Sequence, residues 1–178
     1  MIMMILPRTR EQKTTPAFTM VELLGVITVI AILAGLTLGG AGAVRRHGAV
    51  NQAKAEIAAL QSACERYYAD NTAYPPDTNC PPSTSFDPNP AKNIYNKSGT
   101  VLFTNLLGST NLSAGPSANQ KRYFEPKPSM VSGNYFVDPW GYPYGYYSDG
   151  TNAPLIWSTG GQTNSSGTNK WITSWLQT

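Results

Sequence analysis

The stretch from Leu23 to Val44 constrains this chain more than any other. It holds 22 residues without a formal charge or a proline. Wound as an α-helix it is about 33 Å long, enough to cross the hydrocarbon core of a bilayer. A single acid, Glu22, stands just inside its N-terminal end, and a short basic leader with Arg8, Arg10 and Lys13 precedes it. A secretory signal peptide carries its cleavage site after the apolar region. Here the helix-breaking Pro16 and the small Ala17 come before it. Cleavage after Ala17 removes the leader and leaves the apolar segment as a new N-terminus that begins at Phe18. An ordinary signal anchor accounts for the apolar run but not for Glu22, because an ionisable side chain at membrane depth costs roughly 3 kcal/mol and usually marks a function.

Behind this segment about 130 residues remain, enough for one small domain with one core. Charged residues make up only 13% of the 178-residue chain, and Gly and Pro number 16 and 14, which points to a turn-rich extracytoplasmic domain and away from a helical bundle. The net charge is +3, most of it in the leader, and no basic run is longer than Arg45-Arg46. Nothing here argues for a nucleic-acid partner. The lone His47 beside two bases reads as a solvated headgroup contact. No Ser/His/Asp or Cys/His set, zinc spacing or phosphate-binding Gly loop is present, so the chain reads as a non-enzyme.

Two cysteines occur, Cys64 in a helical pattern and Cys80 in a Pro-rich loop. In a secreted domain they are candidates for one disulfide, which for a loop of that size stabilises by about 3 kcal/mol in the chain-entropy model. The bridge is favoured because an exposed Cys80 would not stay reduced in an oxidising compartment. The alternative is two unpaired thiols, one of them buried.

After the apolar segment the helical pattern continues. Val50, Ala53, Ile57, Leu60, Cys64 and Tyr67 recur at spacings of three and four, one apolar stripe that should bury against the domain's own sheet. A coiled coil with a partner is the competing use of that stripe. Glu56 lies beside it and is placed to pair with its neighbours. The crowding of Gly35, Gly39, Gly40 and Gly42 reads equally as close helix packing or as a segment that unwinds on assembly. The helix is expected to end near Ala69, with Asn71 in a left-handed cap and Pro75-Pro76 forbidding continuation. Residues 78–97 read as a polar loop, 100–107 as a short helix stopped by Gly108, and Arg122–Glu125 as a candidate strand. Strands dominate from Tyr135, with Asp149-Gly150 as the turn between 144–148 and 155–158. Residues 171–175 read as a last strand or edge. The fold class is therefore α+β: a long N-terminal helix, membrane-spanning in its first half, packed on a small C-terminal antiparallel sheet. The segments are a leader over 1–17, a transmembrane helix over 18–44 and a domain over 45–178, with sheet from about 122.

Several motifs carry a family resemblance. Ala17-Phe18-Thr19-Met20-Val21-Glu22 followed by the apolar helix resembles the leader of type IV pilins and type II secretion pseudopilins, with Ala17 where that family usually has Gly. Tyr67-Tyr68-Ala69-Asp70-Asn71-Thr72-Ala73-Tyr74-Pro75 looks like the helix exit of the major pseudopilins. Asp138-Pro139-Trp140-Gly141-x-Pro143-Tyr144 resembles the signature of the same family, and 156–161 and 172–175 look like its tail. The middle of the chain departs from it.

The resemblance implies a prepilin-type subunit cut between Ala17 and Phe18 by a prepilin peptidase and N-methylated at Phe18. It implies that Glu22 meets the amino terminus of a neighbouring copy, a cation for a carboxylate in hydrocarbon. The mature chain is then a single-pass protein of the bacterial inner membrane with its domain in the periplasm. Its partners are further copies of itself, other pseudopilins and the inner-membrane secretion platform, and its role is structural, in export of folded proteins. A type IV pilin or minor pilin for adhesion, motility or DNA uptake is the alternative. A membrane-anchored enzyme or binding domain is a third reading. The family's C-terminal loop binds calcium through acids, but residues 160–169 contain no Asp or Glu. A tight calcium site is therefore not expected, and no other metal or cofactor is implied. Trp140, Tyr144 and Trp157 read foremost as core aromatics with bonded polar tips.

Overall fold

The computed structural model describes residues 18–80, 89–91, 93–164 and 170–175, without the side chains of residues 37–41, 43 and 93. The leader with Ala17, and part of the loops over 78–97 and 160–169, lie outside the described residues. The chain divides into two units, Met1–Ala43 and Val44–Thr178. A 52-residue helix, α1 (Met20–Asn71), runs through both.

In the first unit every described side chain of α1 is exposed. Val21 is 80% exposed, Leu24 65% and Leu36 71%. A helix that is apolar on all sides satisfies its backbone internally but has no burial of its own. Thr28 tucks its hydroxyl onto the Leu24 carbonyl at 2.7 Å, so the one described hydroxyl of this stretch is also satisfied. Among the described residues no helix is long and apolar enough to cross a membrane. The apolar run of the sequence extends into residues 37–41 and 43, whose side chains are not described.

In the second unit α1 buries one face. Ala53, Ile57, Leu60, Ala63 and Cys64 are at most 3% exposed, with Val50 and Tyr67 half-buried at the ends of the stripe. The 3–4 spacing therefore feeds the domain's own core. At its C-terminus it is Thr72, not Asn71, that takes the left-handed conformation, at φ 57°. Asn71 remains helical and its amide bonds the Tyr67 carbonyl at 2.9 Å and the Tyr123 hydroxyl at 3.1 Å. The chain then turns so that the Tyr74 ring stacks on Tyr68 at 4.6 Å and its hydroxyl reaches the Glu65 carboxylate at 3.0 Å.

A second helix, α2 (Asn93–Leu107), is longer than the expected 100–107 and takes in residues assigned to loop. Its added first half carries Tyr95 and Ser98, both fully buried. Polar composition hid this half. Gly108 stops the helix at φ 66°, as its position requires. The freed Leu106 carbonyl accepts from the Tyr123 and Phe124 amides at 2.7 and 3.2 Å. Residues 122–125 are thereby held as an extended segment on a helix end, and not as the expected strand: their backbone donors cap a helix in place of a ladder.

Two small antiparallel sheets complete the unit. Strands β1 (Val131–Ser132) and β2 (Tyr135–Phe136) form a hairpin. Strands β3 (Gly145–Tyr147), β4 (Leu155–Ser158) and β5 (Ile172–Thr173) form the second sheet in that order. Regular sheet thus begins at Val131, later than 122. The Asp149-Gly150 turn joins β3 to β4 as expected, with Gly150 at φ 84°. Asp77 and Ser148 exchange backbone bonds at 2.9 Å, which brings the helix exit alongside β3.

The main core joins the α1 stripe, Leu102, Phe103, Leu106 and Leu107 of α2, Phe136, Tyr144, Tyr146 and Ile156. A second cluster gathers Cys80, Tyr95 and Trp157, with Trp171 and Trp175 packed against it. Cys64 lies in the first cluster and Cys80 in the second, and both are free thiols. The expected Cys64–Cys80 disulfide is not formed. The premise of an exposed Cys80 also fails, since it is 0% exposed. Burial pushes both thiols up to about 12, so neither is a thiolate near neutrality.

Candidate functional site

Two places hold the residues singled out by the sequence, one in each unit. At the head of α1, Thr19 and Glu22 form a reciprocal capping box. The Glu22 amide donates to the Thr19 hydroxyl oxygen at 3.3 Å, and the Thr19 amide donates to the Glu22 carboxylate at 3.0 Å. The Thr19 hydroxyl also donates to that carboxylate at 2.7 Å. Two free donors of the helix start are satisfied in this way, and an acid sits in the first turn, where the helix dipole favours it. Sequence reasoning assigned Glu22 only to assembly and missed this local role. The Thr-x-x-Glu spacing was the signal. Phe18, 77% exposed, precedes the cap.

In the second unit Asp138 organises the Asp-Pro-Trp-Gly turn. One carboxylate oxygen accepts from the Trp140 and Tyr142 amides at 3.0 and 2.9 Å. The other accepts from the Ser158 hydroxyl at 2.6 Å. Backbone bonds from Asp138 N to Tyr142 O at 2.8 Å and from Gly141 N to Asp138 O at 2.9 Å close the turn. Gly141 takes φ 84°, a conformation that disfavours any side chain. Asp138 is 3% exposed, and burial raises its carboxyl above the usual range, partly offset by the bonds from Ser158, Tyr142 and Trp140.

The turn leads into Tyr144. This side chain is 1% exposed and its hydroxyl donates to Glu56 on α1 at 2.6 Å. Burial, then the bond to Glu56 and its charge, push the phenol up. Pro143 pairs with Val137 in an isolated bridge. Ser158 also accepts from the Gly160 amide at 3.0 Å, so one hydroxyl ties the Asp138 turn to the turn after β4. There Gly161, at φ 78°, lies so close to Trp140 that a Cβ would stand 2.8 Å from the indole Cδ1. Trp157 is fully buried, with its indole nitrogen 3.3 Å from the Tyr95 hydroxyl. The arrangement fastens loops to a helix. Its acids are used as acceptors for backbone and hydroxyl donors, which leaves no nucleophile–base pair.

Among the described residues no group of three or more His, Cys, Asp or Glu is placed to hold a metal ion. Asp149, the nearest acid before the 160–169 loop, is occupied by the Thr151 and Asn152 amides at 2.8 Å. Those bonds, the Asn152 ones foremost, lower its carboxyl.

An N-terminal helix and a small antiparallel sheet give an α+β layout consistent with a pilin-like fold. The chain is 26% identical over 147 residues, 82% of its own length and 82% of the relative's, to the type II secretion system core protein G of Pseudomonas aeruginosa. This likeness bears out the resemblance to the G-type, or major, pseudopilins. No family model and no solved structure matches the chain.

Proposed function

We propose that this chain is the structural subunit of a type II secretion pseudopilus. The observation that carries the reading is the α1 segment exposed on every described side from residue 20 to 36 and headed by the Thr19–Glu22 cap, in a chain that is 26% identical over four-fifths of its length to a named secretion-system core protein. Apolar surface of that extent needs lipid before assembly and neighbouring helices after it. The mature chain begins at Phe18, methylated on its amine, and residues 18–44 span the inner membrane with the second unit in the periplasm. Copies then stack so that the Glu22 carboxylate of one meets the Phe18 amine of the next. Other pseudopilins and the inner-membrane platform are the further partners, and the role is mechanical and not enzymatic.

Mass spectrometry of the mature chain and electron microscopy of the envelope after overexpression test this. A chain that starts at a methylated Phe18 and short periplasmic fibres are expected. An intact leader, or no fibre, refutes it. A long extracellular filament favours the type IV pilin reading. Glu22→Ala is expected to be cut and inserted but to assemble poorly.

A further inference from the structure

A groove of about 450 Å³ opens in the second unit between Arg45, Arg46 and Ala49 of α1, the Pro139-Trp140 pair and the turn at 160–162. None of the groups lining it is a carboxylate. Arg45 and Arg46 are exposed, and neither makes an ion pair among the described residues. The wall facing them is built. Trp140 is held by its amide on Asp138, and the Gly161 backbone presses on its indole too closely for a side chain. The Gln162 amide bonds the Thr159 carbonyl at 3.0 Å, which fixes the rim of the turn.

From these observations we infer that the groove binds the phosphodiester headgroup of an anionic phospholipid. Two guanidinium groups offer planar paired donors that suit phosphate oxygens. An indole with an apolar body and a polar tip is the side chain that concentrates at the headgroup level. Arg45 follows the last residue of the apolar run directly in sequence, which sets the pair at headgroup depth. This last point rests on the membrane-spanning reading proposed above. The site would hold the free subunit at a fixed depth before it joins a fibre.

The full chain, reconstituted into vesicles of equal parts phosphatidylcholine and phosphatidylglycerol, is extracted mildly, and retained lipid is counted by native mass spectrometry. Preferential retention of phosphatidylglycerol is expected. Combined Arg45→Gln and Arg46→Gln should weaken it about thirty-fold, roughly five-fold per basic side chain. Gln162→Glu, which places a carboxylate in the groove, should also release the lipid, whereas Asn51→Asp, an equal charge change outside it, should not. Equal retention of both lipids overturns the inference. So does retention that survives the double Arg substitution, equal loss from Asn51→Asp and Gln162→Glu, or displacement of the lipid by inorganic phosphate alone. A double Arg variant that retains lipid but no longer crosslinks to a second copy assigns the groove to a fibre contact and likewise overturns it. Flotation of the vesicles separates the two readings. A chain that does not float fails both, and one that floats without lipid preference fails only this one.

Discussion

Gly145 opens β3 directly opposite Trp157 of β4. A Cβ built on it would stand 2.1 Å from the indole Cε2, 2.4 Å from Cζ2 and 2.5 Å from Nε1. Non-bonded carbon atoms settle near 3.5–4.0 Å, so Gly145→Ala cannot be absorbed by a few tenths of an ångström. Trp157 cannot swing aside either, because it is fully buried with Trp171, Trp175 and Tyr95 rings around it at 6.3, 5.8 and 6.1 Å. Overpacking of a core costs typically 1–3 kcal/mol, and this site belongs at the upper end, about 3 kcal/mol. For a domain of this size that lowers Tm by roughly 10 °C. The measurement is thermal unfolding of the full chain in detergent, followed by tryptophan fluorescence. Trp157→Leu alone opens a cavity and costs about 3 kcal/mol. If the two side chains compete for one volume, the double variant should be more stable than the sum of the single losses by at least about 1 kcal/mol. A Gly145→Ala chain within about 0.5 kcal/mol of the unsubstituted protein, the ordinary scatter of a surface change, refutes the close approach. Strict additivity refutes the shared volume.

Other consequences are as direct. Asp138→Asn keeps the acceptor for the Trp140 and Tyr142 amides and removes a buried charge. Because burial raises the Asp138 carboxyl in the folded chain, its contribution favours the fold at low pH and is lost as pH rises through the folded value. Urea unfolding across the acid range should show that component vanish in Asp138→Asn. Ser158→Ala strands one oxygen of that carboxylate and should cost about 2 kcal/mol at neutral pH in the same assay. At the head of α1, Glu22→Gln preserves much of the capping box but not the charge, whereas Thr19→Ala removes a cap worth about 1 kcal/mol and leaves the charge. Fibre yield should fall further in Glu22→Gln if the carboxylate serves assembly, and further in Thr19→Ala if it serves only the cap. Cys64 and Cys80 should resist maleimide in the native chain and take up one label each after unfolding without reductant. A chain that labels only after reduction contains the bridge that the structure lacks.

Much of this fold was legible because its strongest signals are periodic. The stripe from Val50 to Tyr67 named the buried face of α1, and Gly108 and Asp149-Gly150 marked the ends they close. The first half of α2 was not legible. Asn93, Asn96, Lys97 and Ser98 look like a loop in sequence, and only the burial of Tyr95 and Ser98 makes that segment a helix against the core. The strand expected at 122–125 failed for a related reason. Tyr123 and Phe124 have strand-like side chains, but their amides are claimed by the end of α2. For the cysteines, sequence separation sufficed for a ring of reasonable size but could not say that the two residues enter different clusters. At the Asp138 turn the sequence gives the motif but not Ser158, which a single hydroxyl in a tail strand does nothing to announce. The Glu22 cap, by contrast, is legible in the Thr19-x-x-Glu22 spacing alone.

The pairing of β4 with β5 has a practical consequence. Ser158 faces Ile172 and Trp157 faces Thr173, so the ends of the connecting segment are pinned by the sheet whatever lies between them. Closing a longer loop between fixed ends costs only about 0.6 kcal/mol per doubling of its length. A short epitope or dye-acceptor peptide inserted between Thr163 and Asn164, both exposed and beyond the Gly160-Gly161 turn, should therefore leave the domain folded. It gives a place to put a reporter on the domain while the helix and the Asp138 turn remain unaltered.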